Sequence, residues 1–559
     1  MKWIFPNAAP PPLPSAGLPA GLPGFVEKLL ARRAFTSAEE LDTFLFPKLQ
    51  GLRDPFLLPN LERAASRIHE AIDRQEKIVL YGDYDVDGVT SLALLTHLLR
   101  AYGVDPHPFL PHRMDEGYGI SHEGLERCLD ELHPDLLIAV DCGTSSLEEI
   151  RWLRQEGIDV IVIDHHQLCS AGPPPDCLLV NPQLGSEFHH FCSAGLAFKM
   201  AHGLLKQRPL AHFDLKDHLD LAALGTVADL VPLEHENRLL VRKGLERLQQ
   251  TRSPGIRALM EVSGLQGPIK ALDISFKLGP RLNASGRLDT AKLSLDLLLE
   301  EAPAKAKQIA EALDRQNRER QRVEERIREE ALAQLNGFDP EQEAAIVLGS
   351  RGWHPGVIGI VASRLMRLHH RPTIVVAFDE EGIGKGSGRS IEGLSLVEAL
   401  DACRPHLLKG GGHAMAAGLS VEETKFPAFR AALCQHMQET ATAEILESKL
   451  EIDGVVQLRE LSLAGLDAYE LMEPFGKENA EPLLAARGVT FDREPRVLSE
   501  KHLKLDLRQN GVVQSAIWFH APLEALPRPP WDVAFTLSRN SFRGRESLQL
   551  VVRHLRSAQ

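Results

Sequence analysis

Three short apolar runs, each breaking off into acidic or imidazole side chains, constrain this chain more than any other feature. KIVLYGDYD (77–85), LLIAVDCG (136–143) and VIVIDHH (160–166) are joined by a fourth run, CLLVNP (177–182), with amphipathic stretches between them. Four to six consecutive apolar residues separated by helix-like segments predict strands buried on both faces, in a parallel, doubly wound α/β sheet. In such sheets ligands sit outside the carboxyl ends of the strands, which is where these polar residues fall.

The 559 residues allow roughly three to five domains. Residues 1 to 24 carry seven prolines and read as an extended arm with little packing of its own. Between 303 and 336 runs a strong helix former whose middle (314–322) lacks an apolar stripe, the pattern of a solvent-bridging helix between domains. A second α/β block follows over about 340–440, with strands expected at 344–349 and 372–378. Beyond 450, alternating segments at 502–508, 512–519, 532–538 and 547–555 predict a small β-barrel of about five strands. The seven scattered cysteines include no C-x-x-C pair, which argues against a disulfide framework or a structural zinc. The proline-broken start does not resemble a secretory signal and no run of 18 apolar residues occurs, so a soluble cytoplasmic protein without membrane attachment is expected.

In YGDYDVDGVTS (81–91), Asp83, Asp85 and Asp87 follow one another at period two, which turns all three carboxylates to one side of an extended run. Like charges so placed repel unless a cation lies between them. Gly88 is expected to allow a tight turn, and Thr90 or Ser91 to open a helix. The D-x-D-x-D-G string has a superficial likeness to a calcium loop, but that loop needs a Glu where Leu94 stands and a helix where VLYG stands. Asp141 ends the second run and Asp164-His165-His166 the third, while Asp229 in LGTVADLVPL is a carboxylate among apolar residues, costly unless paired or metal-bound. An oxygen-dominated set of this size suits Mn²⁺ or Mg²⁺, with ligands enough for two divalent cations.

GDYDVDG, VDCG, DHH and GTVADLVPL resemble the four metal-site motifs of the DHH phosphoesterase family. Downstream, GPRLNASGRLD (279–289), GWHPGVIGIVASRL (352–365), GKGSGRS (384–390), GGGHAMAAGLS (410–420) and MEPFGKENAEPLL (472–484) are similar to its members that degrade single-stranded DNA. The likeness covers roughly 60 to 559. It implies a Pro-rich arm and lead-in (1–59), a doubly wound DHH catalytic domain (60–240), a helical linker region with the long interdomain helix (241–338), a second α/β domain of the DHHA1 type (339–445) and an OB-like β-barrel (450–559). The implied activity is metal-dependent 5′-to-3′ hydrolysis of single-stranded DNA to mononucleotides, in recombination and repair. The implied protein partners are a single-strand-binding protein and a helicase, and the implied state is a monomer.

By the same resemblance Asp83 and Asp85 would hold one metal and Asp87, His165 and Asp229 the other, with Asp141 bridging. Asp164 would orient an imidazole, and His166 would sit beside the scissile phosphate as proton donor or charge stabiliser. Arg113, Arg281, Arg287, Ser387, Arg389, Gly411, Gly412 and His413 would grip the substrate, the glycines by presenting backbone N–H groups to phosphate. Trp353 and His354 would either stack on a base or pack. The formal charge of −14 excludes a protein that holds nucleic acid by bulk attraction. Residues 501–559, with nine Lys or Arg against four Asp or Glu, give the C-terminal part of the barrel a local formal charge of +5. Two rival readings share the metal core. A hydrolase of short oligoribonucleotides or cyclic dinucleotides would not need the barrel, and an inactive scaffold would have lost several of the carboxylates.

Overall fold

The structure, a computed structural model, describes every residue except 8–9, 15–20, 112–118, 170, 289, 341, 500, 524–525 and 559, and the side chains of 288 and 542. The chain divides into two compact units. One comprises Trp3–Gly279, Leu298–Glu301 and Leu450–Gln559, the other Met1–Lys2, Pro280–Leu297 and Ala302–Lys449. No described helix is long and apolar enough to cross a membrane.

In the first unit the predicted loose arm is tied down at its start. Trp3 is 6% exposed and its indole N–H donates to His554 Nδ1 at 3.0 Å. Two helices follow, α1 (Gly24–Ala31) and α2 (Ala38–Leu45), the latter capped by Ser37, whose side chain accepts from Glu40 N–H. Their Phe25, Val26, Leu29, Leu30, Leu41 and Leu45 enter the core of the C-terminal barrel. Proline forbids helix over much of the arm but does not keep a large aromatic from burying its surface.

The parallel sheet of this unit contains β1 (Ile78–Gly82), β2 (His107–Phe109), β3 (Leu136–Val140), β4 (Asp159–Ile163) and β5 (Leu178–Val180). Their order is β2-β1-β3-β4-β5, with every neighbouring pair parallel. β1 and β3 are buried throughout, which is why their sequences run apolar without alternating. β2, short and holding a proline, escapes the sequence pattern. The order reverses between β1 and β3, a topological switch point that opens a crevice at the strand ends.

The barrel closes from β11 (Leu484–Leu498), β12 (His502–Gln509), β13 (Val512–Trp518), β14 (Trp531–Phe542) and β15 (Arg545–Ser557), with β14 returning to pair with β11. Four of these match the predicted segments. β11 does not, because irregularities near Phe491, Arg493 and Arg496 break its alternation. Much of the barrel's basic charge is spent locally. Arg508 pairs with Asp492, Arg539 with Asp467, Glu470 and Glu546, Arg553 with Glu481 and Arg556 with Asp532.

The second unit is built on a mixed sheet of β6 (Ile346–Arg351), β7 (Thr373–Phe378), β8 (Ile383–Arg389), β9 (Lys409–Gly412) and β10 (Ala416–Glu422), in the order β9-β10-β8-β7-β6. A 32-residue helix, α6 (Pro303–Gln334), belongs to it. The expectation of a helix polar all round and facing solvent is corrected here. Leu313, Asp314, Asn317, Arg320, Glu324 and Ile327 are buried along one face, so the stripe continues through the middle in polar residues. Arg320 pairs with Glu324 at 2.9 Å and Arg364 reaches Glu324 at 2.6 Å, so the buried carboxylate lies between two guanidinium groups.

Candidate metal centre

The parallel ladder extends one rung past the ends of the central strands. The N–H groups of Asp83, Asp141 and Asp164 donate to the carbonyls of Val140, Ile163 and Val180 at 3.3, 3.0 and 3.1 Å. Register therefore sets these three aspartates side by side at the switch point, and Asp141 takes a left-handed φ of 63° as the chain turns away. α3 (Val86–Ala101) starts at once after β1, with Asp85 as its cap. Asp85 Oδ1 accepts from the N–H groups of Asp87 and Gly88 at 2.8 and 3.1 Å. The predicted tight turn at Gly88 and helix start at Thr90 or Ser91 are thus corrected. Gly88 lies in the first turn of the helix, where a Cβ would sit 2.3 Å from the Asp83 carbonyl oxygen.

Asp87 is aimed by α4 (Ser193–Gln207), whose first N–H groups, on Ser193 and Ala194, donate to its two oxygens at 2.6 and 2.8 Å. Ser193 Oγ–H donates to Asp141 Oδ1 at 3.0 Å. Asp229 caps the end of α5 (Leu219–Ala228). Gly225 of that helix packs so closely that a Cβ would lie 2.4 Å from Ala194 Cβ and 2.7 Å from Asp87 Oδ1. Gly225→Ala is therefore expected to cost about 1–3 kcal/mol and to loosen divalent-cation binding, read by chemical denaturation and Mn²⁺ titration. Wild-type values for both would refute this account of the helix contact.

His165 Nε2 lies 3.5 Å from Asp141 Oδ1, 3.6 Å from Asp229 Oδ2 and 4.0 Å from Asp87 Oδ2. Ligand atoms of Asp87, His165 and Asp229 come within 4.8 Å of one another, as do those of Asp83, Asp85 and Asp141, and those of Asp141, Asp164, His165 and His166. Burial, followed by the charges of Asp87, Asp85 and Asp83, holds the Asp141 carboxyl well above the usual carboxylate range. Burial and then Asp87 push Asp229 up to about 8, and Asp87 is raised chiefly by burial. Burial lowers His165 and favours a neutral imidazole. His165 Nε2 is buried and without a hydrogen-bond partner. A divalent cation suits this arrangement. The separations of His165 are too long for hydrogen bonds but are about the span of two ligands sharing one ion at ~2.0–2.2 Å each.

Asp164 behaves differently. It is 1% exposed, and its Oδ1 accepts from the N–H groups of His165 and His166 at 2.8 and 3.2 Å and from His166 Nδ1–H at 2.6 Å. Its Oδ2 accepts from Thr144 N–H at 3.0 Å. Burial would raise this carboxyl, but those bonds and the neighbouring imidazoles hold it well below the usual range. Conversely, burial would lower His166, yet Asp164 lifts it to about 9. Asn181 fastens the segment from below, donating to Thr144 Oγ1 and to the His166 carbonyl at 2.9 Å each.

Of the expected substrate-gripping residues, Arg113 lies outside the described residues, and the others belong to the second unit. There Ser387 Oγ accepts from Arg389 Nη1–H at 3.1 Å. A Cβ on Gly359, near the start of α7 (Ile358–His369), would lie 2.9 Å from Ser387 Oγ and 3.3 Å from Arg389 Nη2. A hydroxyl, a guanidinium and the first turn of a helix are thereby gathered at one point. Gly411 and Gly412 end strand β9, paired with Gly418 and Ala417, and His413 N–H closes the hairpin onto the Ala416 carbonyl at 2.8 Å. Arg281 is paired with Asp314 at 2.9 Å, and Arg287 donates to the Gly356 carbonyl at 3.3 Å. Trp353 packs, 4% exposed, with its N–H on Glu330, and His354 Nδ1 accepts from Gly356 N–H. Sequence reasoning missed Ser193, Ala194, Thr144 and Asn181, which act through backbone N–H groups or short polar side chains that carry no distinctive spacing.

Family models match in three places: the DHH family N-terminal domain at residues 77–226, the DHHA1 domain at 342–439 and the RecJ OB domain at 452–554. Fold and strand-end cluster therefore define a DHH/DHHA1 protein with an appended barrel. The single-stranded-DNA-specific exonuclease RecJ of Dickeya dadantii is 35% identical over 576 residues, covering 97% of this chain and 98% of its own. The crystal structure of RecJ from Thermus thermophilus in complex with Mn²⁺ superposes with a TM-score of 0.83 at 33% identity, over 100% of this chain and 80% of that one. Its Mg²⁺ complex gives 0.79 at 32% identity, with 100% and 79% coverage. The chain belongs to the RecJ family of single-stranded-DNA-specific exonucleases.

Proposed function

We infer that this protein is a metal-dependent exonuclease specific for single-stranded DNA, which it degrades from the 5′ end to mononucleotides. The observation that carries the reading is the convergence of Asp83, Asp85, Asp87, Asp141, His165 and Asp229 at the switch point, with His165 Nε2 buried among carboxylate oxygens and lacking a hydrogen bond. Asp83 and Asp85 would hold one divalent cation and Asp87, His165 and Asp229 a second, with Asp141 shared. When bound, the ions would supply a nucleophile at neutral pH and offset charge building on the phosphate. Ser193 and Ala194 aim Asp87 with their N–H groups, and Ser193 Oγ aims Asp141, while burial disfavours the charge of both carboxylates until a cation offsets it. His166, held by Asp164, presents a protonated imidazole 40% exposed beside the cluster, placed to donate to a phosphate oxygen or a leaving group.

The polarity is tested with single strands labelled at either end and incubated with Mn²⁺, Mg²⁺ or chelator. A 5′ label should appear first as mononucleotide, only with metal and not from duplex. Early release of a 3′ label or activity in chelator would overturn the reading. The Ser387–Arg389 point at the start of α7 supports recognition of a terminal phosphate by bidentate guanidinium and helix N–H groups. Arg389→Ala should lose about tenfold in kcat/KM on 5′-phosphorylated strands and little on 5′-hydroxyl strands. An unchanged preference between the two ends would count against that role.

A further inference from the structure

The turn leading into the barrel, Glu473-Pro-Phe-Gly-Lys-Glu-Asn479, is neither part of the metal cluster nor a barrel strand, yet it is bound down from several directions. Asn479 is 4% exposed. Its Nδ2–H donates to the carbonyls of Met472 and Pro474 at 2.9 and 2.8 Å, and its Oδ1 accepts from Arg33 Nη2–H at 2.8 Å. The Glu473 carbonyl accepts from Arg238 Nη2–H at 2.8 Å and Arg242 Nη1–H at 3.0 Å, while its carboxylate takes Lys270 Nζ at 2.7 Å. Gly476 and Asn479 exchange both backbone hydrogen bonds, which leaves Lys477 and Glu478 at the tip.

That tip is fastened to the catalytic domain four residues beyond Asp229. Leu233 N–H donates to the Lys477 carbonyl at 2.9 Å. A Cβ on Gly476 would lie 2.6 Å from Leu233 Cδ1, so only glycine allows the approach. Lys477 makes no ion pair among the described residues and is exposed. A lysine serving only the fold would be expected to close on an acid. Here a rigid turn delivers an uncommitted cation to the rim of an acidic centre that must accept a polyanion.

We propose that Lys477 is a further substrate-binding residue, whose ammonium holds the backbone phosphate next along the strand from the one attacked. The inference rests on the exonuclease reading above. A compact, mobile ammonium suits a phosphate contact that carries no sequence information. Since Lys477 stands outside ion-pair distance of Asp229, its partner is a group displaced from the centre, not the phosphate under attack.

The test is steady-state hydrolysis of a 5′-phosphorylated single strand by the full chain with Mn²⁺, over a series of salt concentrations, for wild type, Lys477→Ala and Lys477→Arg. Lys477→Ala should raise KM about tenfold with kcat within about twofold. It should also reduce the slope of log KM against log salt by about 0.7, the loss of one phosphate contact to a single strand. Lys477→Arg should keep the wild-type slope. A wild-type KM and slope in Lys477→Ala, or a loss of kcat at unchanged KM, overturns the proposal while leaving the exonuclease reading intact. Failure of the wild type to degrade the strand overturns both.

Discussion

Asp141→Asn should abolish hydrolysis, by on the order of a thousandfold or more, and at the same time make the metal-free protein more stable. Asparagine is the informative replacement because the site has φ 63°, a conformation it tolerates better than alanine, and because its amide oxygen can still accept from Ser193 Oγ. The activity loss follows from position: Asp141 belongs to the grouping with Asp83 and Asp85 and also lies 3.5 Å from His165 Nε2, so both halves of the cluster depend on it. The gain in stability follows from electrostatics. Burial and four neighbouring carboxylates disfavour its charge, so without metal the residue is a source of strain. A melting temperature a few degrees above wild type in chelator, together with a much smaller rise on adding Mn²⁺, is the expected pair of results. Wild-type activity with Mn²⁺, or a metal-induced rise as large as that of the wild type, would remove Asp141 from the centre.

That trade of stability for function also explains what the sequence could reveal. Strands buried on both faces must be continuously apolar, so β1, β3 and β4 stand out, and a carboxylate ending each one is conspicuous because the four or five residues just before it carry no charge. Asp83, Asp141 and Asp164 meet because parallel strands in register end together, a consequence of topology that the runs already imply. Other partners leave no such mark. Asp87 is held by the N–H groups of Ser193 and Ala194, and every residue but proline has one. The buried face of α6 was hidden for the opposite reason. Asp314, Asn317, Arg320 and Glu324 look like a solvated face until Glu324 is seen between Arg320 and Arg364. β11 was hidden by its bulges, which disrupt the two-residue period on which a strand is recognised.

His166→Ala should lower kcat by about a hundredfold to ten-thousandfold while leaving the Mn²⁺-induced rise in melting temperature largely in place, since the Asp87, His165 and Asp229 grouping does not include it. The basis is the pairing with Asp164, which is buried, fixed by Thr144 and the backbone, and held ionised. In metal-free protein His166 should titrate near 9. In Asp164→Asn it should fall well below that, because burial is then opposed only by the more distant charges of Asp229 and Asp87. The signs of the two shifts bound the window in which the pair stabilises the metal-free fold. A raised imidazole contributes fully below about 6.5 and loses its contribution as pH rises through about 9, whereas a depressed carboxylate contributes above about 4 and loses it in acid. Between those limits the imidazolium is kept charged without a metal's help, so the group proposed to meet the substrate is charged before the ions bind. Imidazole resonances that titrate at the same pH in wild type and Asp164→Asn would separate His166 from its supposed orienting partner. An Asp164→Asn enzyme with undiminished kcat would show that this readiness does not matter to turnover.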